Sequence, residues 1–224
     1  MQGSYQIAIQ DQKNAGLPGR GTCPVTAPAA SPAWQPPVYI VTGWQGEGKT
    51  TFVRKVIDGL WENGVKCTGI VTPGYYRDDV RAGFSVTDVA TGLSVPLCSD
   101  IPSPASEQHG RFYFRKEGLA FGYRALACPR PEETDILVID EVGRFELKGE
   151  VWAGCIDCLF TAPRPPMIWT VRSDKADEVK KRWPPGRQVT VEPASANSDA
   201  VVRDLMDEIR IYRSVLRRIN PGFF

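Results

Sequence analysis

One histidine and three methionines are all that 224 residues hold of those types. Charge of a single sign is also missing: 27 Lys and Arg stand against 26 Asp and Glu, a formal net charge of +1. Nucleic-acid surfaces show a basic patch or stripe, so nucleic acid is not an expected partner. No apolar run approaches the length of a membrane span, so no membrane is expected either. The opening, MQGSYQIAIQDQKNAG, lacks the basic start and apolar stretch of a secretory signal, which makes the cytoplasm the expected compartment. Six cysteines in that compartment argue against a disulfide framework. Cys155 and Cys158 have C-x-x-C spacing. With no second pair, and with His109 far off in sequence, they read as small buried thiols on a helix.

What is present centres on Val38 to Thr51, VYIVTGWQGEGKTT. Val38 to Val41 is an apolar run long enough for one buried strand. Gly43 to Thr50 then fits G-x-x-x-x-G-K-[ST] at every fixed position. Phe52, Val53, Val56, Ile57 and Leu60 follow at helical spacing. The glycines let successive N–H groups curl into a nest for anionic oxygens, and the helix adds the positive end of its dipole there. Lys49 supplies a compact cation for β- and γ-phosphates, and the Thr50 hydroxyl a ligand for Mg²⁺. The candidate nucleotide-binding residues are Gly43, Trp44, Gln45, Gly46, Glu47, Gly48, Lys49, Thr50 and Thr51.

The length suits one α/β domain with tails. Residues 1–37 form a Pro/Ala/Gly-rich tail, too poor in apolar side chains to fold alone. Ile7, Ile9 and Trp34 are its candidates for docking. Residues 38–212 form the domain and 213–224 a second tail; the stretch from Ile211 to Phe224 is basic then aromatic, and an extension of the last helix into it stays open, with Pro221 to Phe224 as a loose tip. Strands are expected at 66–72 and 188–191, with helices at 49–63, 117–128, 151–160 and 174–183 and from Ser198 or Asp199 onward. Gly83 to Val89 alternates apolar and polar residues, and Leu93 to Leu97 follows after Ala90-Thr91-Gly92. That pattern predicts an antiparallel insertion over about 73–100.

Ile136 to Ile139 reads as a central parallel strand buried on both faces. Asp140 and Glu141 follow at its carboxyl end, the edge where open sheets bind ligands. A strand-end aspartate near a phosphate loop holds Mg²⁺, so Thr50 and Asp140 are the metal candidates. Glu141 is the candidate base for the attacking water. Cations for the charge of the transition state come from Arg77, Arg81, Arg111, Arg115 and Arg144.

These residues carry a resemblance. From Val38 to Ile209 the chain resembles the small P-loop nucleoside-triphosphatases first described from thermophiles. The likeness rests on GWQGEGKTT, on Gly69 to Thr72 with Arg81 to Phe84 at the familiar spacing, on Gly110 to Phe114, and on Ile139-Asp140-Glu141-Val142-Gly143-Arg144-Phe145-Glu146-Leu147. It implies an α/β P-loop NTPase fold, a mostly parallel sheet flanked by helices with an antiparallel β-insertion. It also implies slow, Mg²⁺-dependent hydrolysis of nucleoside triphosphates with broad base selectivity. Lys49, Glu141, Arg144 and Arg81 become the leading catalytic candidates. Pro73-Gly74-Tyr75-Tyr76-Arg77 stands where the family has a run of charges, so roles tied to those charges do not transfer. Two alternatives stay open: a nucleotide or small-molecule kinase with the insertion as acceptor lid, and a nucleotide-binding adapter working through a protein partner held by the tails.

Overall fold

The computed structural model describes residues 35–104, 106–127, 133–161 and 164–219. The proposed docking residues Ile7, Ile9 and Trp34, and the Phe223-Phe224 end, lie outside them. Among the described residues no helix is long and apolar enough to cross a membrane.

Strand β1 (Val38–Gly43) is buried on both faces, and alternation sorts its side chains between two cores. Tyr39 and Val41 pack with Val53, Val56, Ile57 and Leu60 of α1 (Lys49–Glu62) and with Leu205 and Ile209 of α6 (Ser198–Ile219). Val38 and Ile40 pack on the opposite face with Ile156 of α4 (Ala153–Leu159), Val179 of α5 (Ala176–Arg182) and Leu126 of α2 (Lys116–Leu126). Strand β8 (Ile136–Ile139) divides in the same way, which is why its sequence is apolar throughout. Each fully buried Val, Leu or Ile contributes about 1.5–3 kcal/mol.

Five parallel strands make one half of the sheet. Their order is β10 (Gln188–Val191), β1, β9 (Met167–Arg172), β8, β2 (Cys67–Val71). The insertion continues the same sheet: β4 (Val80–Asp88) pairs antiparallel with β2 at Ile70 and Val71, and β5 (Ser94–Ser99) follows. It reaches beyond the expected limit at 100, because β7 (Phe112–Arg115) pairs with β5, and β6 (Ser106–His109) with β7. Strand β3 (Gly74–Arg77) returns onto β4 through Asp78 and Asp79, both at positive φ, as a two-residue hairpin requires.

The last helix runs through the boundary expected at 212. Arg213 donates to Asp135 at 2.7 Å, and Leu216 is buried, so residues 213–219 belong to the domain rather than to a tail. At the other end Pro37 accepts the Met167 N–H at 3.0 Å, which ties it to the sheet. Asp174 to Trp183 divides into a 3-10 turn at Ser173–Lys175 and α5. A short helix that the sequence reading did not include, α3 (Arg144–Leu147), follows the Asp140-Glu141 strand end.

Gly69 of β2 lies directly opposite Val138 of β8. It sits at φ +106°, and a Cβ there would lie 2.0 Å from the Val138 carbonyl oxygen. Gly69→Ala therefore forces both backbone strain and a shift of the strand that ends in Asp140. It is expected to destabilise the fold by about 3 kcal/mol or more. Denaturant unfolding checks this, and a midpoint equal to wild type would contradict it.

Candidate active site

The loop after β1 leaves the strand at Gly43 and enters α1 through Gly46 at φ +88° and Gly48 at φ +79°. Neither position is crowded, so it is the left-handed backbone that calls for glycine there. The Trp44 N–H already points at a carboxylate, donating to Glu47 Oε2 at 2.7 Å. Lys49, only 7% exposed, donates its ammonium to the Gly43 and Trp44 carbonyls at 2.9 and 2.8 Å. Burial pulls its pKa down, with Glu141 and Asp140 opposing.

Asp140 sits behind Thr50 and is 2% exposed. Its carboxylate accepts from Thr50 Oγ1 at 3.0 and 3.2 Å, from the Thr72 N–H at 3.0 Å, and from Thr170 Oγ1. Thr72 Oγ1 donates to the Asp140 carbonyl at 2.6 Å. A buried carboxylate is stable only when hydrogen-bonded in this way. Glu141 opens instead into a cleft of about 600 Å³ shared with Gln45, Gly46, Gly48, Lys49, Thr50 and Thr51. Burial, then Asp140, pushes the Glu141 carboxyl up; Lys49, Arg172 and Arg81 act against that shift.

Arg81 and Arg144 both line this cleft, as do Arg54, Arg111 and Arg172. Arg77 and Arg115 do not, and Arg77 pairs with Asp100 at 3.3 Å. Gly43, Trp44 and Glu47 shape the loop without lining the cleft. The sequence reading gave no role to Thr170, Arg172 or Glu146. The first two reach the site because β9 lies between β1 and β8, with Arg172 in register with Gly43. Arg172 is held by Asp174 through bonds of 3.0 and 3.1 Å. One sequence signal existed: a threonine in an apolar strand, MIWTVR, with an arginine at its end. Glu146 is buried and accepts the Gly143 N–H at 2.8 Å, fixing the turn after Glu141. Burial pushes its carboxyl up to about 7, against backbone hydrogen bonds that stabilise the anion. Cys155 and Cys158 are free, half-buried thiols on α4.

A protein-family profile described as NTPase matches residues 38–206, well over half of the chain. The chain belongs to that NTPase family. Relatives named nucleoside-triphosphatase THEP1 agree with it. The one from Methanosarcina barkeri is 33% identical over 143 residues, covering 63% of this chain and 80% of its own. The one from Pyrococcus abyssi is 27% identical over 176 residues, covering 77% and 92%. The crystal structure of THEP1 from Aquifex aeolicus superposes with a TM-score of 0.53 at 21% identity, covering 77% of this chain and 98% of that one. The solution structure of a human cancer-related nucleoside triphosphatase gives 0.57 at 22%, covering 77% and 96%. Both likenesses speak for the fold, an α/β P-loop NTPase. This nucleoside-triphosphatase thus has an enzyme's cleft at the carboxyl edge of its parallel strands, with nucleoside triphosphate as its substrate.

Proposed function

We propose that this NTPase hydrolyses nucleoside triphosphates to diphosphate and phosphate with Mg²⁺ and with little regard for the base. The observation that carries the reading is the convergence of Lys49, Thr50, Asp140 and Glu141 at one strand edge. The residues fit Mg²⁺. The Thr50 hydroxyl and the Asp140 carboxylate already lie 3.0 Å apart, and Mg²⁺ takes one or two protein oxygens and completes its shell with phosphate and water. Among the described residues no cluster of three or more His, Cys, Asp or Glu side chains could hold a metal unaided, which suits an ion shared with the triphosphate. Bound there, the ion would neutralise charge on the β,γ-phosphates.

The chain's own groups do the rest. The loop N–H groups and the α1 N-terminus cradle the phosphates. The Lys49 ammonium turns from its two carbonyls to a phosphate oxygen. Glu141 orients a water and takes its proton as the water oxygen bonds to the γ-phosphorus and the bond to the β-phosphate oxygen breaks. Arg81, Arg144 and Arg172 are the cations placed to meet the developing charge. Base indifference is supported by two features. The sequence between Asp140 and the C-terminus has no Asn-Lys-x-Asp run to read guanine. Trp44, 56% exposed on the loop, offers a ring face on which any base stacks. A cytoplasmic setting belongs to the same reading.

The test is phosphate release from ATP, GTP, CTP and UTP, each with Mg²⁺ and with a chelator. The four rates are expected to fall within about tenfold of each other, since only a site built to hydrogen-bond one base rejects others by about 10⁴ or more. Chelation is expected to stop all four. A strong preference for one base, or release that survives chelation, would overturn the reading.

A further inference from the structure

Past Glu141 the wall of the cleft changes character. Phe84, Phe112 and Phe145 line it, and each carries a guanidinium over its ring. Arg81 lies 5.0 Å from the Phe84 centroid and 5.2 Å from that of Tyr76; Arg111 lies 4.7 Å from Phe112, and Arg144 5.5 Å from Phe145. Several other arginines of the domain are paired with carboxylates: Arg77 with Asp100, Arg172 with Asp174, Arg187 with Glu208, Arg213 with Asp135. Among the described residues no carboxylate stands at ion-pair distance from Arg81, Arg111 or Arg144. The Nε of Arg81 is buried there with no hydrogen-bond partner. Three guanidiniums without an ion-pair partner on a ring-lined wall make a receptor for a flat molecule with an anionic group.

The triphosphate's own base does not reach this wall. Along the sheet edge the order is β10, β1, β9, β8, β2, β4. The phosphate loop follows β1, and Asp140 and Glu141 end β8, two strand spacings or about 10 Å away. A triphosphate whose metal sits between Thr50 and Asp140 therefore points its γ-phosphate toward β8 and sends its ribose and base back over β1 and β10. The ring wall, on β4, β7 and α3, lies on the far side of the γ-phosphate. Hydrolysis needs a water and cations at that place, and it gives the ring surface no task.

We propose that this wall is an acceptor subsite for a nucleoside monophosphate, whose base packs against the half-buried rings of Phe84 and Phe145, with Phe112 edge-on behind Phe84, and whose phosphate is held by Arg81, Arg111 and Arg144. The inference rests on the reading that a nucleoside triphosphate occupies the loop. A phosphate oxygen of the acceptor bonds to the γ-phosphorus, the bond to the β-phosphate oxygen breaks, and two nucleoside diphosphates leave. The acceptor oxygen is already anionic at neutral pH, so no proton has to be removed. Transfer to the acceptor thus dispenses with the base that hydrolysis needs.

The experiment follows label from the γ-phosphate of ATP into inorganic phosphate and into nucleoside diphosphate, with and without AMP, GMP, CMP or UMP at millimolar concentration. It uses wild type, Glu141→Gln, Arg111→Ala and Arg111→Lys. With at least one monophosphate, wild type is expected to move label into that acceptor's diphosphate. Glu141→Gln is expected to keep this transfer within about tenfold while its phosphate release collapses. Arg111→Ala should raise the acceptor KM about tenfold or more, and Arg111→Lys should recover part of the loss. Label found only in inorganic phosphate for all four acceptors overturns the subsite and leaves the hydrolase reading standing. Transfer without phosphate release in the absence of acceptor upholds the subsite and overturns the hydrolase reading. No label in either product overturns both.

Discussion

Glu141→Gln is expected to lower phosphate release about 10²–10⁴-fold, the range in which a positioned general base acts. The substitution keeps the shape of the side chain and removes its negative charge together with its capacity to take a proton. Nucleotide affinity should stay the same or tighten, because a negative charge beside the γ-phosphate is lost. The environment of Glu141 prepares it for the task. Burial and the neighbouring Asp140 raise its pKa above the usual glutamate value, and Lys49, Arg172 and Arg81 keep the rise in check. A carboxylate with a raised pKa is the stronger base, provided the pH lies above that pKa. Wild-type kcat/KM should therefore fall on the acid side along a limb that lies above pH 4.5, the ordinary value of the group. The residual activity of Glu141→Gln should lack that limb. Steady-state rates across pH with a nucleotide-binding titration check both halves. Wild-type release by the variant would place water activation on another group.

The site was legible in the sequence wherever its parts are local. The loop from Gly43 to Thr50 needs a strand before it and a helix after it, and both announce themselves in neighbouring side chains. Asp140 and Glu141 announced themselves by ending a fully apolar strand. Strand order is not local. That β9 rather than β8 adjoins β1 follows from packing between segments more than a hundred residues apart, and this alone brings Thr170 onto Asp140 and Arg172 beside Gly43. The insertion was cut short at 100 because β6, Ser106–His109, is polar and only four residues long, and it becomes a strand by pairing with β7. The C-terminal boundary fell too early for a similar reason. A basic run reads as a solvated tail until Asp135, at the start of the β8 segment, proves to be the partner of Arg213. Glu146 was visible in the family stretch. Its role came only with the fold, which buries it under Gly143.

Lys49→Ala separates the demands of function from those of the fold. The ammonium is the only side-chain cation within the loop itself, and its loss is expected to cut turnover about 10³-fold or more, at least the cost of one lost oxyanion-type donor. Stability should barely change. Burial pulls the pKa of Lys49 down, so holding the charged form in this place works against folding, and alanine removes that burden. Against it stand the hydrogen bonds to the Gly43 and Trp44 carbonyls, each worth about 1.5–3 kcal/mol to a charged donor. The Trp44 carbonyl lies on an exposed loop where water can take the donor's place, and the Gly43 carbonyl is the one left less well solvated. The opposing effects are of similar size, so the thermal midpoint should move by only a few degrees while phosphate release disappears. A variant that melts far below wild type would show Lys49 to be a structural strut of the loop. A variant that keeps both its melting point and its activity would remove the phosphate loop from the chemistry. The expected pattern, lost activity with a retained fold, is that of a side chain kept in an unfavourable place for what it does to a phosphate.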